Sequence, residues 1–279
     1  MYQHKKTTAG NVIENYKCHT CKCPPPPHKA YTVIPRANRT QETTEDQKRV
    51  NNNKAYDDLR YSILCNFVAD DFYITLTYEN EPTPEDAKGI LDNFKKRLKY
   101  FYHKQGAILK YILVTEYERD KKNRTERIHH HILINRIIQL GIKKIKQIWG
   151  QGRVDYRPYR GEADDADGIS NYFIKEEHSA FYKDEKIFKT RYTPSRNLKK
   201  PKISKAIVPA STFRETMKPP KGYYLDKSSI RRGTTKWGYP YLFYRFIKDE
   251  NSYEKSIKKS RSNPKLKTAA KSRQLYIEI

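Results

Sequence analysis

Residues 127–135 read RIHHHILIN. Ile128, Ile132 and Ile134 fall at alternate positions, the two-residue period of a strand with one apolar face. Side chains at i and i+2 of a strand project to the same side, so His129 and His131 share the opposite face. His130 then stands on the apolar face as its exception. A fold that accepts this segment must bury one side of it and give the imidazole pair a polar setting on the other.

Two neutral imidazoles a dipeptide apart can aim their nitrogens at one divalent cation. The alternative is a pair of partly buried histidines bonded to nearby groups. The preceding apolar run, AILKYILVTEY, ends in Glu116 and Tyr117 and is joined to RIHHHILIN by the charged turn ERDKKNRTE. If the two runs pair as a hairpin, Glu116 comes near the histidines and supplies the oxygen ligand that Mg²⁺ or Mn²⁺ prefers. Glu118 has the same strand parity but lies nearer the turn, which favours Glu116. The bland alternative is two solvated acids at a strand end. Three protein ligands would leave coordination positions for a substrate oxygen, as catalysis needs.

Upstream, FYITLTY alternates Phe72, Ile74, Leu76 and Tyr78 with Tyr73, Thr75 and Thr77, a half-buried strand. TPEDAKGILDNFKKRLKYFYHKQG follows as an amphipathic helix, with Thr83 as cap, Pro84 in the first turn, Glu85 and Asp86 near the positive helix end, and Gly106 as the stop. A second helix is expected from about Ile138 to Trp149, ended by GQG, then the short strand RVDYRPY. A third helix is expected over DDADGISNYFIKEE, with acids at its start. Strand, helix, two strands, helix, strand, helix, with helices returning to one face of a mostly antiparallel sheet, gives a two-layer α+β domain.

Two segments flank a domain expected over residues 56–202. Residues 1–55 include CPPPPHK and RANRTQETTEDQKRVNNN, compositions that favour extended or loose chain, and are expected to be a basic, partly ordered extension. Residues 203–279 carry basic segments around the aromatic block GYPYLFYRF, a candidate further strand, and are expected to be a second basic extension. Cys18, Cys21 and Cys23 in CHTCKC offer half a zinc site, with Cys65, His19 and His28 as further candidates. A lone C-x-x-C without a second pair favours reduced thiols.

The chain carries 57 lysines and arginines against 32 acids in 279 residues, a net charge of +25, more than internal pairing can neutralise. Nucleic acid is the polyanion this excess suits, since each cation that meets a phosphate releases counterions and adds affinity. Ribosomal and membrane-surface proteins share the signature. No apolar run is long enough to cross a bilayer and MYQHKKTTAG lacks a signal peptide's apolar core, so no membrane partner and a cytoplasmic location are expected.

NYFIKEE sets Tyr172 and Lys175 three apart, on one helix face. An ammonium beside a phenol favours the phenolate or steadies charge on phosphate. Tyr2 with Lys5 and Tyr224 with Lys227 repeat the spacing, so alone it is equally a tyrosine packed on the sheet.

Taken in order, FYITLTY, RIHHHILIN and NYFIK resemble motifs one, two and three of the HUH endonucleases, and more closely the rolling-circle replication proteins related to the filamentous-phage gene-two protein. The resemblance covers roughly Asn51 to Lys202. It implies a five-stranded antiparallel sheet with helices behind it, His129 and His131 as a metal-ligand pair, Glu116 as the upstream carboxylate, Tyr172 as nucleophile and Lys175 as its companion. It departs from the pattern at His130, where a plainly hydrophobic residue is usual. A register shifted to make His130 a ligand would turn the site toward the apolar face.

The reaction so implied is metal-assisted nicking and joining of DNA with a 5′-phosphotyrosine intermediate and a free 3′ hydroxyl. Expected partners are single-stranded or hairpin origin DNA, with a host helicase and DNA polymerase, since no G-x-x-x-x-G-K-[ST] motif is present. Tyr73, Thr75 and Thr77 on the strand's polar face, with Arg191, Arg196, Lys199 and Lys200, are the candidate DNA-binding residues. Two rivals stand beside this reading. One is a single-tyrosine transposase or relaxase; the other is a noncatalytic nucleic-acid-binding module.

Overall fold

The computed structural model describes residues 1–20, 45–119, 126–174, 190–235 and 238–249. The chain divides into two compact units, residues 28–201 and residues 1–27 with 202–279.

The first unit is built on a five-stranded antiparallel sheet. Its strands are β3 (Phe72–Leu76), β4 (Tyr111–Arg119), β5 (Glu126–Ile134), β6 (Val154–Pro158) and the two-residue β7 (Thr193–Pro194), in the order β6-β3-β5-β4-β7. The α+β class and the five-stranded antiparallel sheet are as expected. The apolar parity of the strands selects the packed face: Phe72, Ile74, Leu76, Leu113, Tyr117, Ile128, Ile132 and Ile134 bury against helices α2 (Pro84–Lys104) and α3 (Ile142–Trp149). From those helices come Leu91, Phe94, Leu98, Tyr102, Ile145 and Trp149.

Helix α2 starts as its sequence dictates, with the Thr83 hydroxyl accepting from the Asp86 N–H at 3.2 Å and Pro84 in the first turn. Helix α3 begins four residues later than expected. Gly141, extended at φ −93° and ψ 163°, caps it without a side-chain bond, while Leu140 N–H donates to the Ile137 carbonyl in a separate turn. Gly150, at φ 62°, ends it in the left-handed conformation that a residue with a side chain resists.

Among the described residues this unit has two further helices, α1 (Glu45–Asn66) and α4 (Ala163–Ile174), which pack on each other. Helix α4 reaches the sheet's other face, where the Phe173 ring lies 6.0 Å from that of Tyr73. Helices therefore meet both faces of the sheet rather than one. Helix α1 also corrects the expectation of a loose arm through residue 55. Its N-terminal half is exposed and polar, but Leu59, Ile63, Leu64 and Phe67 are buried at helical spacing and hold it in place.

The second unit overturns the expected pair of extensions in their described parts. β1 (Tyr2–Ala9), β2 (Val12–His19), β8 (Lys202–Val208), β9 (Tyr223–Thr234) and β10 (Pro240–Lys248) form one antiparallel sheet in the order β8-β1-β2-β10-β9. Ile13, Leu242, Tyr244 and Phe246 make its small core. Glu14 and Arg245, both buried, pair at 3.2 Å. The CPPPPHK stretch and the tail beyond residue 249 lie outside the described residues, as do Cys21, Cys23 and His28. Among the described residues Cys18 and Cys65 form no disulfide.

Candidate functional site

The hairpin of β4 and β5 sets the register that the site needs. Glu116 stands directly opposite His129, Val114 opposite His131, and Thr115 opposite His130. Opposed residues share a face, so Glu116, His129 and His131 lie together on the side away from α2 and α3. Glu118 pairs with Arg127, one side-chain period nearer the turn.

His131 is the hub of the site. Its Nε2 lies 3.4 Å from Glu116 Oε2 and 3.3 Å from the hydroxyl of Tyr172, while its Nδ1 lies 3.1 Å from Thr75 Oγ1 and 3.4 Å from the hydroxyl of Tyr73. Two tautomers satisfy these contacts. With the proton on Nε2 the ring donates to Glu116 and Nδ1 accepts from Thr75. With the proton on Nδ1 the ring donates to Thr75 or Tyr73, and the Nε2 lone pair faces Glu116 and Tyr172; only this second tautomer can hold a cation there.

Tyr172 reaches His131 from α4, with the two rings edge to face at 5.1 Å. Its neighbours Ile169 and Phe173 are buried and anchor the helix, whereas Tyr172 itself is 38% exposed. The first turn of α4 is tied down by Asp165, which accepts from Arg157 Nη1 at 3.1 Å and from the Arg160 N–H at 2.8 Å. The Arg157 guanidinium also sits over the Tyr73 ring at 4.4 Å, linking β6, β3 and α4 beside the site. Burial first, then the charge of Glu116, pushes the Tyr73 phenol well above the usual range, so it stays protonated.

His130 is not a ligand. It is fully buried on the apolar face, with Nε2 2.8 Å from the Tyr78 hydroxyl and Nδ1 2.9 Å from Thr115 Oγ1. Tyr78 donates onward to the Ala87 carbonyl, so one neutral tautomer, Nε2–H to Tyr78 and Thr115 O–H to Nδ1, satisfies every group. Burial lowers its pKa to about 3. The register keeps the imidazole pair on the polar face, and the unusual middle histidine is a core residue with two hydroxyl partners.

The structure thus brings Glu116, His131 and Tyr172 into one cluster. His129 shares their face, but among the described residues no three His, Cys, Asp or Glu side chains are gathered as a group that could hold a metal ion. The donor chemistry fits a divalent cation nonetheless. A carboxylate oxygen and an imidazole nitrogen stand 3.4 Å apart with their side chains 7% and 10% exposed, next to a second imidazole in register.

Of the candidate DNA-binding residues, Tyr73 and Thr75 aim at His131, and Thr77 donates to the Arg153 carbonyl at 3.3 Å. Arg196, Lys199 and Lys200 are exposed and Arg191 is half-buried. Asn66 clamps the backbone of that segment, accepting from the Lys199 N–H at 2.7 Å and donating to its carbonyl at 2.9 Å. Lys175 lies outside the described residues. Sequence reading missed Thr75 and Tyr73 as partners of His131, although their parity on the neighbouring strand was the available signal: Thr75 stands directly opposite His131. Among the described residues no helix is long and apolar enough to cross a membrane.

No curated protein and no solved structure gives a significant match to this chain. A family model does match, and its span takes in β3, the Glu116 strand, the histidine strand and the Tyr172 helix. Residues 71–177 match the family of replication-associated proteins of the ORF2 and phage gene-two type, consistent with a rolling-circle replication initiator of that type.

Proposed function

We propose that this chain nicks and rejoins single-stranded DNA at a replication origin through Tyr172. The observation that carries the reading is the Tyr172 hydroxyl, 3.3 Å from an imidazole nitrogen that also faces a carboxylate. Tyr172 Oη attacks a scissile phosphorus: the Oη–P bond forms, the P–O3′ bond breaks, and the phenolic proton ends on the departing 3′ hydroxyl. The phosphodiester becomes a phosphotyrosine ester, so bond energy is kept and a 3′ hydroxyl can reverse the step.

Glu116, His129 and His131 would hold Mg²⁺ or Mn²⁺. Such an ion supplies Lewis-acid polarisation of a phosphate oxygen. Thr75 and Tyr73 fix the His131 ring from its Nδ1 side, and the Arg157–Asp165 pair holds the start of α4, which keeps the phenol aimed at the cluster. Tyr73 is the rival phenol, but its proton is held tightly and its hydroxyl meets His131 at Nδ1, whereas Tyr172 meets the Nε2 that Glu116 also faces. The free 3′ end suits a polymerase, and a separate helicase would unwind the duplex.

Cleavage of a labelled origin single strand, assayed with Mn²⁺ and then with EDTA, tests the reading. Nicking that vanishes in EDTA while binding persists supports it. Binding without cleavage under both conditions identifies a noncatalytic module instead.

A further inference from the structure

The sheet formed by the two ends of the chain carries a row of side chains that the catalytic site does not use. Read straight across all five strands, Lys205 stands opposite Lys5, Lys5 opposite Tyr16, Tyr16 opposite Phe243, and Phe243 opposite Arg231. Directly opposed residues of antiparallel strands share a face at about 5 Å, so these five make one transverse line. The Arg231 guanidinium over the Phe243 ring, at 5.9 Å, agrees with that placement. Lys205 and Arg231 are exposed, Tyr16 is 38% exposed, and Lys5 and Phe243 are half-buried.

Like charges placed directly opposite each other destabilise a sheet. Yet Lys5 and Lys205 face one another, and among the described residues neither they nor Arg231 is in an ion pair. The acid that β2 places on this face, Glu14, is already matched by Arg245. In the adjoining row Tyr241 lies over Gly233, where an added Cβ would stand 2.7 Å from the Tyr241 hydroxyl, so this ring too lies along the sheet surface. Cations at both ends with aromatic faces between them fit a polyanion that also presents flat unpaired rings. A duplex hides its base faces; a single strand does not.

We propose that this row is a second binding surface, one that grips single-stranded DNA by stacking bases on Tyr16 and Phe243 and setting phosphates on Lys5, Lys205 and Arg231. The choice of DNA over RNA rests on the proposed nicking reaction; the choice of a single strand rests on the row itself.

Fluorescence anisotropy of a labelled oligothymidine with the full chain, in EDTA so that no cleavage intervenes, tests it. The Lys5→Gln/Lys205→Gln pair should weaken binding about tenfold and flatten the dependence of log K on log salt by about 1.4, from roughly 0.7 per lost phosphate contact. Tyr16→Leu, which keeps apolar bulk, should also weaken binding about tenfold, by loss of one stacked base. An unchanged salt slope in the lysine pair, in protein that melts like the wild type, would overturn the inference, as would tighter binding of oligouridine RNA of equal length. If the wild type never nicks but its binding depends on the row, this inference stands and the proposed function fails. If the wild type nicks and its binding is independent of the row, the proposed function stands and this inference fails.

Discussion

The hydroxyl of Tyr172 lies 3.3 Å from Nε2 of His131, although 41 residues separate them along the chain. Helix α4 supplies the phenol and β5 the imidazole, and Glu116 on β4 faces the same nitrogen. Catalytic power in such a site comes from holding groups in place before substrate arrives, so the expected effects of substitution separate by what each group holds.

Glu116→Gln keeps the shape of the side chain and removes its charge. Mn²⁺ affinity of the full chain, measured by electron paramagnetic resonance, should fall at least tenfold, because the one hard anionic donor of the set is lost. Unchanged affinity would remove Glu116 from the ligand set.

Thr75→Val is nearly isosteric and deletes the hydroxyl 3.1 Å from His131 Nδ1. Groups that orient a ligating imidazole typically contribute 10- to 100-fold in metal affinity, so a loss of about tenfold is expected, with the melting temperature little changed. The conservative variant Thr75→Ser, which keeps a hydroxyl, should restore most of it.

His130 gives a pH signature of stability. Its folded pKa is about 3 against 6.5 for the free side chain. Between those values the unfolded state binds a proton that the folded state does not, so stability rises with pH and is lost as pH falls from 6.5 toward 3. His130→Leu should cost about 1–3 kcal/mol at neutral pH, through the unsatisfied Tyr78 and Thr115 hydroxyls. The gap between the two proteins in thermal unfolding, measured with chelator present, should narrow as the pH is lowered. A gap independent of pH would contradict a buried neutral imidazole.

Asp165→Asn weakens the charge-assisted bonds to Arg157 and to the Arg160 N–H at the start of α4. A loss of about 1–3 kcal/mol in denaturant unfolding is expected. Nicking should fall more than DNA binding, since the change acts on where α4 holds Tyr172 rather than on the strand's contacts.

Much of the site was legible because short-range patterns encode it. Strand parity in RIHHHILIN put His129 and His131 on one face, and the hairpin connection brought Glu116 alongside. Thr83 and Pro84 marked the start of α2. Of the second sheet only the aromatic block GYPYLFYRF, which forms most of β10, was legible, for a physical reason. YQHKKTTA in β1 shows no apolar alternation, and it pairs with β8, about 200 residues away. Glu14 in β2 reads as a solvated acid until Arg245, 231 residues later, pairs with it in a buried contact. Such long-range compensation leaves no local trace. Helix α1 did leave one, in the spacing of Leu59, Ile63 and Phe67, but the polar stretch before it masked the signal.

The central claim, that Tyr172 is the nucleophile, is tested most directly by peptide mapping of the covalent product by mass spectrometry after reaction with origin single strand and Mn²⁺. The account predicts a nucleotide phosphate on Tyr172 alone among the 23 tyrosines, and no covalent product from Tyr172→Phe. A phosphate found on Tyr73, or a product that survives Tyr172→Phe, would contradict it.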